Sequence, residues 1–161
     1  MPNQSVSKDI ANRQLIVKRS FKGSVPRVWE CWTQRDLLDK WWGPRTWPAK
    51  TDSIDFREGG YWHYHMTGPD GTKVWSRIDY EKINAPQSFT AQDSFCDEKG
   101  AVKPGMPSSH WLVQFTADGD ATLVTTTLTF STVTDMQTII EMGFEAGYTD
   151  QLDRLDDLLA V

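Results

Sequence analysis

The chain is poor in the residues from which catalytic and metal sites are most often built. It has two cysteines, Cys31 and Cys96, too few for a disulfide framework and suited to a reducing compartment. It has three histidines. His63 and His65 share one face of a strand, but His110 falls on a strand with two others between. Three strand spacings make about 14 Å, too wide for ligands around one metal ion. No metal or cofactor is therefore expected. The P-loop, dinucleotide-binding, nucleophile-elbow, zincin and C-x-x-C patterns are all missing. Gly68-Pro69-Asp70-Gly71 has the look of a hairpin turn rather than of a phosphate loop. No apolar run approaches the ~20 residues of a membrane span. The opening MPNQSVSKDIANRQ lacks the apolar centre of a secretion signal, so a cytoplasmic location is expected. Positive charge is not in excess either. The net charge of −5, with bases not interleaved with aromatics, argues against nucleic acid as a partner.

Aromatic residues are what the chain has in quantity: eight Trp, seven Phe and four Tyr in 161 residues, which excludes disorder as the main state. Charge is also segregated. Residues 1–50 hold ten Lys/Arg against four Asp/Glu, whereas the stretch from Asp118 to Val161 holds nine acids and Arg154 alone as a base. The asymmetry suits either a charged partner or, more simply, a basic segment packed beside an acidic one within the same domain.

Residues 1–13 are polar and read as a flexible tail, leaving 14–161 as the domain. A strand is predicted over 14–21. Two short helices follow, capped by Ser24 and Thr33, with Pro26 in the first turn of the first and Gly43-Pro44 stopping the second. The period then changes to two. Strands are predicted over 50–56, 61–66, 72–83, 88–95, 110–117 and 123–131, and the stretch between Cys96 and Ser109 is long enough for a lid or binding loop. From Asp135 to Leu159 the helical period returns, and Met136, Ile140, Phe144, Tyr148, Leu152, Leu155 and Leu159 mark one apolar face. Gly143 and Gly147 lie within it, four apart, giving a flat strip for close packing or a small guest. This order predicts an α+β fold, an antiparallel sheet covered on one face by the C-terminal helix.

Alternation turns Trp62, Tyr64 and Met66 inward on one strand, leaving His63 and His65 to solvent. Tyr80, Phe89, Trp111, Phe115 and Phe130 face inward on others. Many large aromatics with a few polar tips suit an apolar pocket, and equally a solid core. The candidate pocket residues are Trp62, Tyr64, Met66, Tyr80, Phe89, Asp93, Trp111 and Phe130 from the strands, with Ile140, Gly143, Phe144 and Gly147 from the helix. Asp93 shares a face with Phe89, Ala91 and Phe95. If buried it needs a partner or a raised pKa and becomes an acid/base or ligand anchor; otherwise its strand end is already in solvent. Cys31 reads as core, and Asp97 and Glu98 disfavour a thiolate at Cys96.

Several strings, taken in order, resemble one known family. They are Phe21-Lys-Gly-Ser-Val-Pro-Arg-Val-Trp-Glu-Cys-Trp-Thr33, Trp41-Trp42-Gly43-Pro44, Arg57-Glu-Gly-Gly-Tyr-Trp62, Gly68-Pro-Asp-Gly71, Glu141-Met-Gly-Phe-Glu-Ala-Gly-Tyr148 and Leu152-Asp-Arg-Leu155. Over about residues 14–159 the chain is similar to homologues of the heat-shock protein 90 ATPase activator, within the START-like SRPBCC group. The resemblance implies a helix-grip (START/Bet v-like) fold: a curved seven-stranded antiparallel sheet around a long C-terminal helix, often enclosing a hydrophobic cavity. Ile78 stands where Gly is common and is expected to fill space beneath the helix; Tyr148 stands where Trp is usual. Three functions follow as expectations. The leading one is binding of an apolar or amphipathic small molecule. The second is a chaperone-associated role through acids on the last helix, Asp150, Asp153, Asp156 and Asp157. The third is cyclase- or hydrolase-like chemistry by Asp93 with Tyr64 or Tyr80. Either a monomer or a homodimer joined by an edge strand, Trp47 or Trp75 is compatible with the sequence.

Overall fold

The computed structural model describes residues 4–160. Eight antiparallel strands form one sheet: β1 (Gln4–Asp9), β2 (Gln14–Lys22), β3 (Ala49–Ile54), β4 (Tyr61–Thr67), β5 (Lys73–Asn84), β6 (Ser88–Cys96), β7 (Ser109–Asp118) and β8 (Ala121–Phe130). Their spatial order is β1-β2-β8-β7-β6-β5-β4-β3, so β2 closes onto β8 and each later strand pairs with its chain neighbour. Helices α1 (Val25–Thr33) and α2 (Arg35–Trp41) follow β2, and α3 (Val133–Glu141) and α4 (Phe144–Leu159) end the chain. Ser24 caps α1 by accepting from the Arg27 amide, with Pro26 in the first turn, where its missing N–H leaves no bond unmade.

The polar stretch before residue 14 is not a tail over its described part. Gln4–Asp9 pairs with β2 along its whole length, which makes the strand count eight rather than seven. As an edge strand it buries little, so its hydropathy matches that of a loop. Long-range polar contacts hold it: the Gln4 amide donates to Thr149 Oγ1 at 2.8 Å and accepts from Arg19 at 2.9 Å. Residues 1–3 of the predicted tail lie outside the described residues.

The C-terminal helix is two helices. Gly143 has φ +90°, a left-handed conformation that ends one helix and caps the next. The apolar period runs through the break because one rotated residue barely shifts the pattern. Met136, Tyr148, Leu152 and Leu155 all remain buried against the concave face of the sheet, where Trp62, Tyr64, Tyr80, Phe89, Trp111, Phe115 and Phe130 meet them.

Much of the charge segregation is used within the molecule. Arg19, only 2% exposed, lies on the inward face of β2 and donates to Asp153 at 2.7 Å and also to Asp156. Arg45 pairs with Asp150 and with Asp157 at 2.9 Å. Arg154 donates to the Gly43 carbonyl at 2.7 Å and to those of Trp42 and Lys40. All four acids of α4 that suggested a basic partner thus have an arginine of their own chain.

The outer face of β4 also departs from expectation. His63 is buried, not solvated, because the turn after β6 folds over it. Its Nε2 lies 3.1 Å from the Asp97 carbonyl and its Nδ1 3.3 Å from Asp52, with the Trp75 ring alongside. Trp75 lies between His63 and His65 and is half-buried; Trp47 is half-buried against Gly68. Neither is an open aromatic surface.

Candidate ligand-binding site

Between the concave sheet and the α3–α4 junction lies an open-sided cavity of about 440 Å³. The sheet contributes Tyr64 and Met66 from β4, Val74 and Ser76 from β5, Asp93 and Phe95 from β6, and Ser109 and Trp111 from β7. Leu128 of β8 completes that wall. The helical wall is Ile139, Met142, Gly143, Phe144, Gly147, Tyr148 and Gln151, and the segment after α2 closes the third side with Trp42, Pro44 and Trp47. The helix break at Gly143 therefore falls in the cavity wall. Met142, beside it, is 57% exposed.

Of the residues nominated from the sequence, Tyr64, Met66, Asp93, Trp111, Gly143, Phe144 and Gly147 line this cavity. Trp62, Tyr80 and Phe89 do not; with Ile78 they surround a separate void of about 10 Å³, which Trp42 and Trp111 also border. Ile78 thus fills the deep end of the interior and leaves the outer cavity open. Phe130 is core and Ile140 packs against the core, both away from the cavity wall. Trp42, Pro44 and Trp47 carry no periodic signal, since they lie in an irregular connection. Gln151 lies on the nominated helix, one position before the apolar Leu152.

Polar groups are few in this wall. Tyr148 exchanges a hydrogen bond with Thr126 at 2.9 Å, and the Trp111 indole donates to Ser109 at 2.9 Å. Burial pushes the Tyr64 hydroxyl above its usual range; the nearby Asp93 carboxylate acts the same way, while Trp42 and Ser76 oppose it. Tyr148 is raised by burial as well. Both phenols are therefore neutral at pH 7. The Gln151 amide oxygen accepts from the Gly43 N–H at 3.0 Å, which fixes the amide orientation and leaves Nε2 fully buried, without a partner among the described residues. Asp93 is the one carboxylate of the wall, and among the described residues no hydrogen bond or cation holds its charged form. Burial raises its pKa to about 7. A side pocket of about 40 Å³, walled partly by Pro107, opens beside it. The loop between β6 and β7 thus contributes to the cavity's edge, while its first half is pinned by the Cys96–Val102 bridge and by Arg77 donating to the Gly100 carbonyl.

A family model described as activator of Hsp90 ATPase homolog 1-like protein matches residues 22–160. The chain belongs to this family. Among solved structures, a protein from Arthrobacter aurescens is similar at 35% identity and a TM-score of 0.91, over 97% of this chain and 91% of that one. A Mycobacterium smegmatis protein is 30% identical with a TM-score of 0.89, over 96% and 95%. One from Staphylococcus epidermidis is 27% identical with a TM-score of 0.84, over 97% and 93%. No curated protein matches. The architecture is the helix-grip, START-like one. Among the described residues no helix is long and apolar enough to cross a membrane.

In this member of the Hsp90-activator-homolog family, Asp93 has a consequence for stability. Its carboxyl keeps its proton up to about pH 7 when folded, but loses it near 3.8 when unfolded. Between those values the native state binds more protons, so this contribution is present below pH 4 and is lost as pH rises towards 7. Asp93→Asn removes the titration. Relative to wild type, the variant is expected to gain about 2–4 kcal/mol between pH 4 and pH 7.5. Urea unfolding at both pH values measures the gain, and a difference that does not change with pH would refute the assignment.

Cys31 and Cys96 are both buried, and burial raises both thiols, Cys96 to about 11. Neither is a thiolate at neutral pH.

Proposed function

We propose that this protein binds a small molecule with an apolar or amphipathic body in the cavity between the sheet and the broken C-terminal helix. The observation that carries the reading is the cavity itself. About 440 Å³ remains open in a wall of aromatic and aliphatic side chains with a few placed polar groups, which is the usual make-up and size of a small-ligand pocket. In a chain this rich in tryptophan, a closed core would have been the simpler outcome, and the 10 Å³ void shows how tightly the deep interior does close.

Gly147 allows a direct test. A Cβ at this position would meet Pro44 Cγ at 3.6 Å, an ordinary contact. Gly147→Ala is expected to stabilise the protein by about 0.5–1 kcal/mol through helix propensity and reduced unfolded-state entropy. Gly147→Leu places a branched side chain in the cavity wall. It is expected to weaken binding of the neutral probe N-phenylnaphthylamine at least tenfold while the protein stays folded. Wild-type protein saturated at 100 times the dissociation constant should be stabilised by about 2.7 kcal/mol. No fluorescence enhancement with wild type, or equal affinity in both proteins, would remove the reading.

A further inference from the structure

One polar group of the cavity has no partner among the described residues. The Asp93 carboxyl faces both the main cavity and its side pocket, with no hydrogen bond reaching it from the described residues. Gln151 offers no second group: its oxygen accepts from the Gly43 N–H, and its Nε2, unpartnered among the described residues, is closed off from the cavity. Asp93 stands in walls that, among the described residues, hold no lysine, arginine or histidine. Unmet buried polar groups are costly, and ligand sites commonly leave such groups for the guest to satisfy. An anionic guest would place its charge beside an unshielded carboxylate. A purely apolar guest would cover the carboxyl and leave it unsatisfied.

We infer that the guest is a cationic amine with an apolar, preferably aromatic, body, its ammonium pairing with Asp93. The inference rests on the binding reading above and deepens it by naming the ligand class. The rings of Trp42, Tyr64 and Trp111 belong to the same wall, and aromatic faces favour a desolvated cation further. The carboxylate supplies the charge that the cavity otherwise lacks.

The pH response follows with a definite sign, because the amine needs the ionised form of Asp93. Affinity should rise about tenfold from pH 6 to pH 8 as the group, with its pKa near 7, loses its proton. The other titratable groups near it do not change charge over that range. Tyr64 on β4 and Tyr148 on α4 are held protonated, and Cys96 is raised to about 11. The cavity walls from β5, β7, α3 and the Pro107 loop bring no titratable side chain.

Calorimetry with naphthylethylamine, naphthylethanol and naphthylacetate, which share one ring system, tests the charge. The amine is expected to bind at least tenfold more tightly than the alcohol at pH 8, and the carboxylate to bind weakest. Asp93→Asn should abolish the preference, and the wild-type pH profile provides an independent readout should that variant fold poorly. Alcohol or carboxylate binding as well as the amine, amine affinity that does not rise with pH, or a preference that survives in Asp93→Asn would overturn the charge assignment. Retained binding of N-phenylnaphthylamine in that event would leave the cavity reading standing. Loss of every probe would end both.

Discussion

Trp41→Ala is expected to destabilise the protein by about 3–5 kcal/mol, the range for deleting a buried tryptophan. Trp41 is fully buried in the last turn of α2, where its indole donates to the Cys31 carbonyl at 2.8 Å and so ties α2 to α1. Its ring meets Trp32 edge-on at 4.8 Å and Trp42 at 5.1 Å, and Trp42 in turn meets Trp62 at 5.2 Å. The cluster is a continuous aromatic mass behind the cavity, so removing one ring leaves space that rigid neighbours fill poorly. For a chain of this length the loss corresponds to a fall of roughly 10 °C in Tm. Trp41→Phe keeps most of the bulk and loses the hydrogen bond, and should cost about 1–2 kcal/mol. Thermal and urea unfolding measure both. A cost below about 1 kcal/mol for the alanine variant would mean that the rings pack loosely and that their neighbours collapse into the gap.

Gly43→Ala is expected to have a comparable effect by a different route. The residue has φ +81°, and an added Cβ would lie 2.4 Å from the Trp47 carbonyl oxygen and 3.0 Å from the Ala49 amide nitrogen. Both neighbours are backbone and cannot swing aside as a side chain can. Left-handed strain and overpacking together should cost about 3 kcal/mol or more. The cavity should suffer as well. Gly43 donates to Gln151 and accepts from Arg154, and the segment it anchors carries Trp42, Pro44 and Trp47. Loss of N-phenylnaphthylamine binding should therefore accompany the loss of stability, whereas Gly147→Ala, in the helical wall of the same cavity, should gain stability. Equal behaviour of the two glycine variants in unfolding and probe titration would contradict the difference between their surroundings.

These contrasts show why the sequence can be read only so far. Alternation assigns the inward faces of β4 to β8 because period two is a local property, and Asp93 and Phe95 keep that face even where the cavity exposes them. The edge strand Gln4–Asp9 escapes such a reading because an edge buries too little to leave an apolar pattern. The break at Gly143 escapes it because a single left-handed residue leaves the helical period intact on both sides. His63 follows its alternation to the outer face, and only the later turn at Asp97 covers it there. The cavity wall is half legible. Its strand residues share predicted faces, as do Phe144 and Tyr148 of the helix, but Ile139, Met142 and Gln151 lie off the predicted helical face, and Trp42, Pro44 and Trp47 enter through a connection whose path depends on the Gly43 turn and on Arg154 of a distant helix.

The order of elements from β2 to β8, the antiparallel sheet, the inward aromatic faces and the family follow from local pattern and ordered strings, which the chain carries within short windows. Tertiary structure alone decided where the interior closes and where it stays open. Ile78 seals the deep end, α4 starts afresh at Gly143, and Gln151 and Asp93 come together in one cavity although 58 positions separate them in the chain. Packing sums contributions from distant segments, and a space left between them has no residue of its own to announce it.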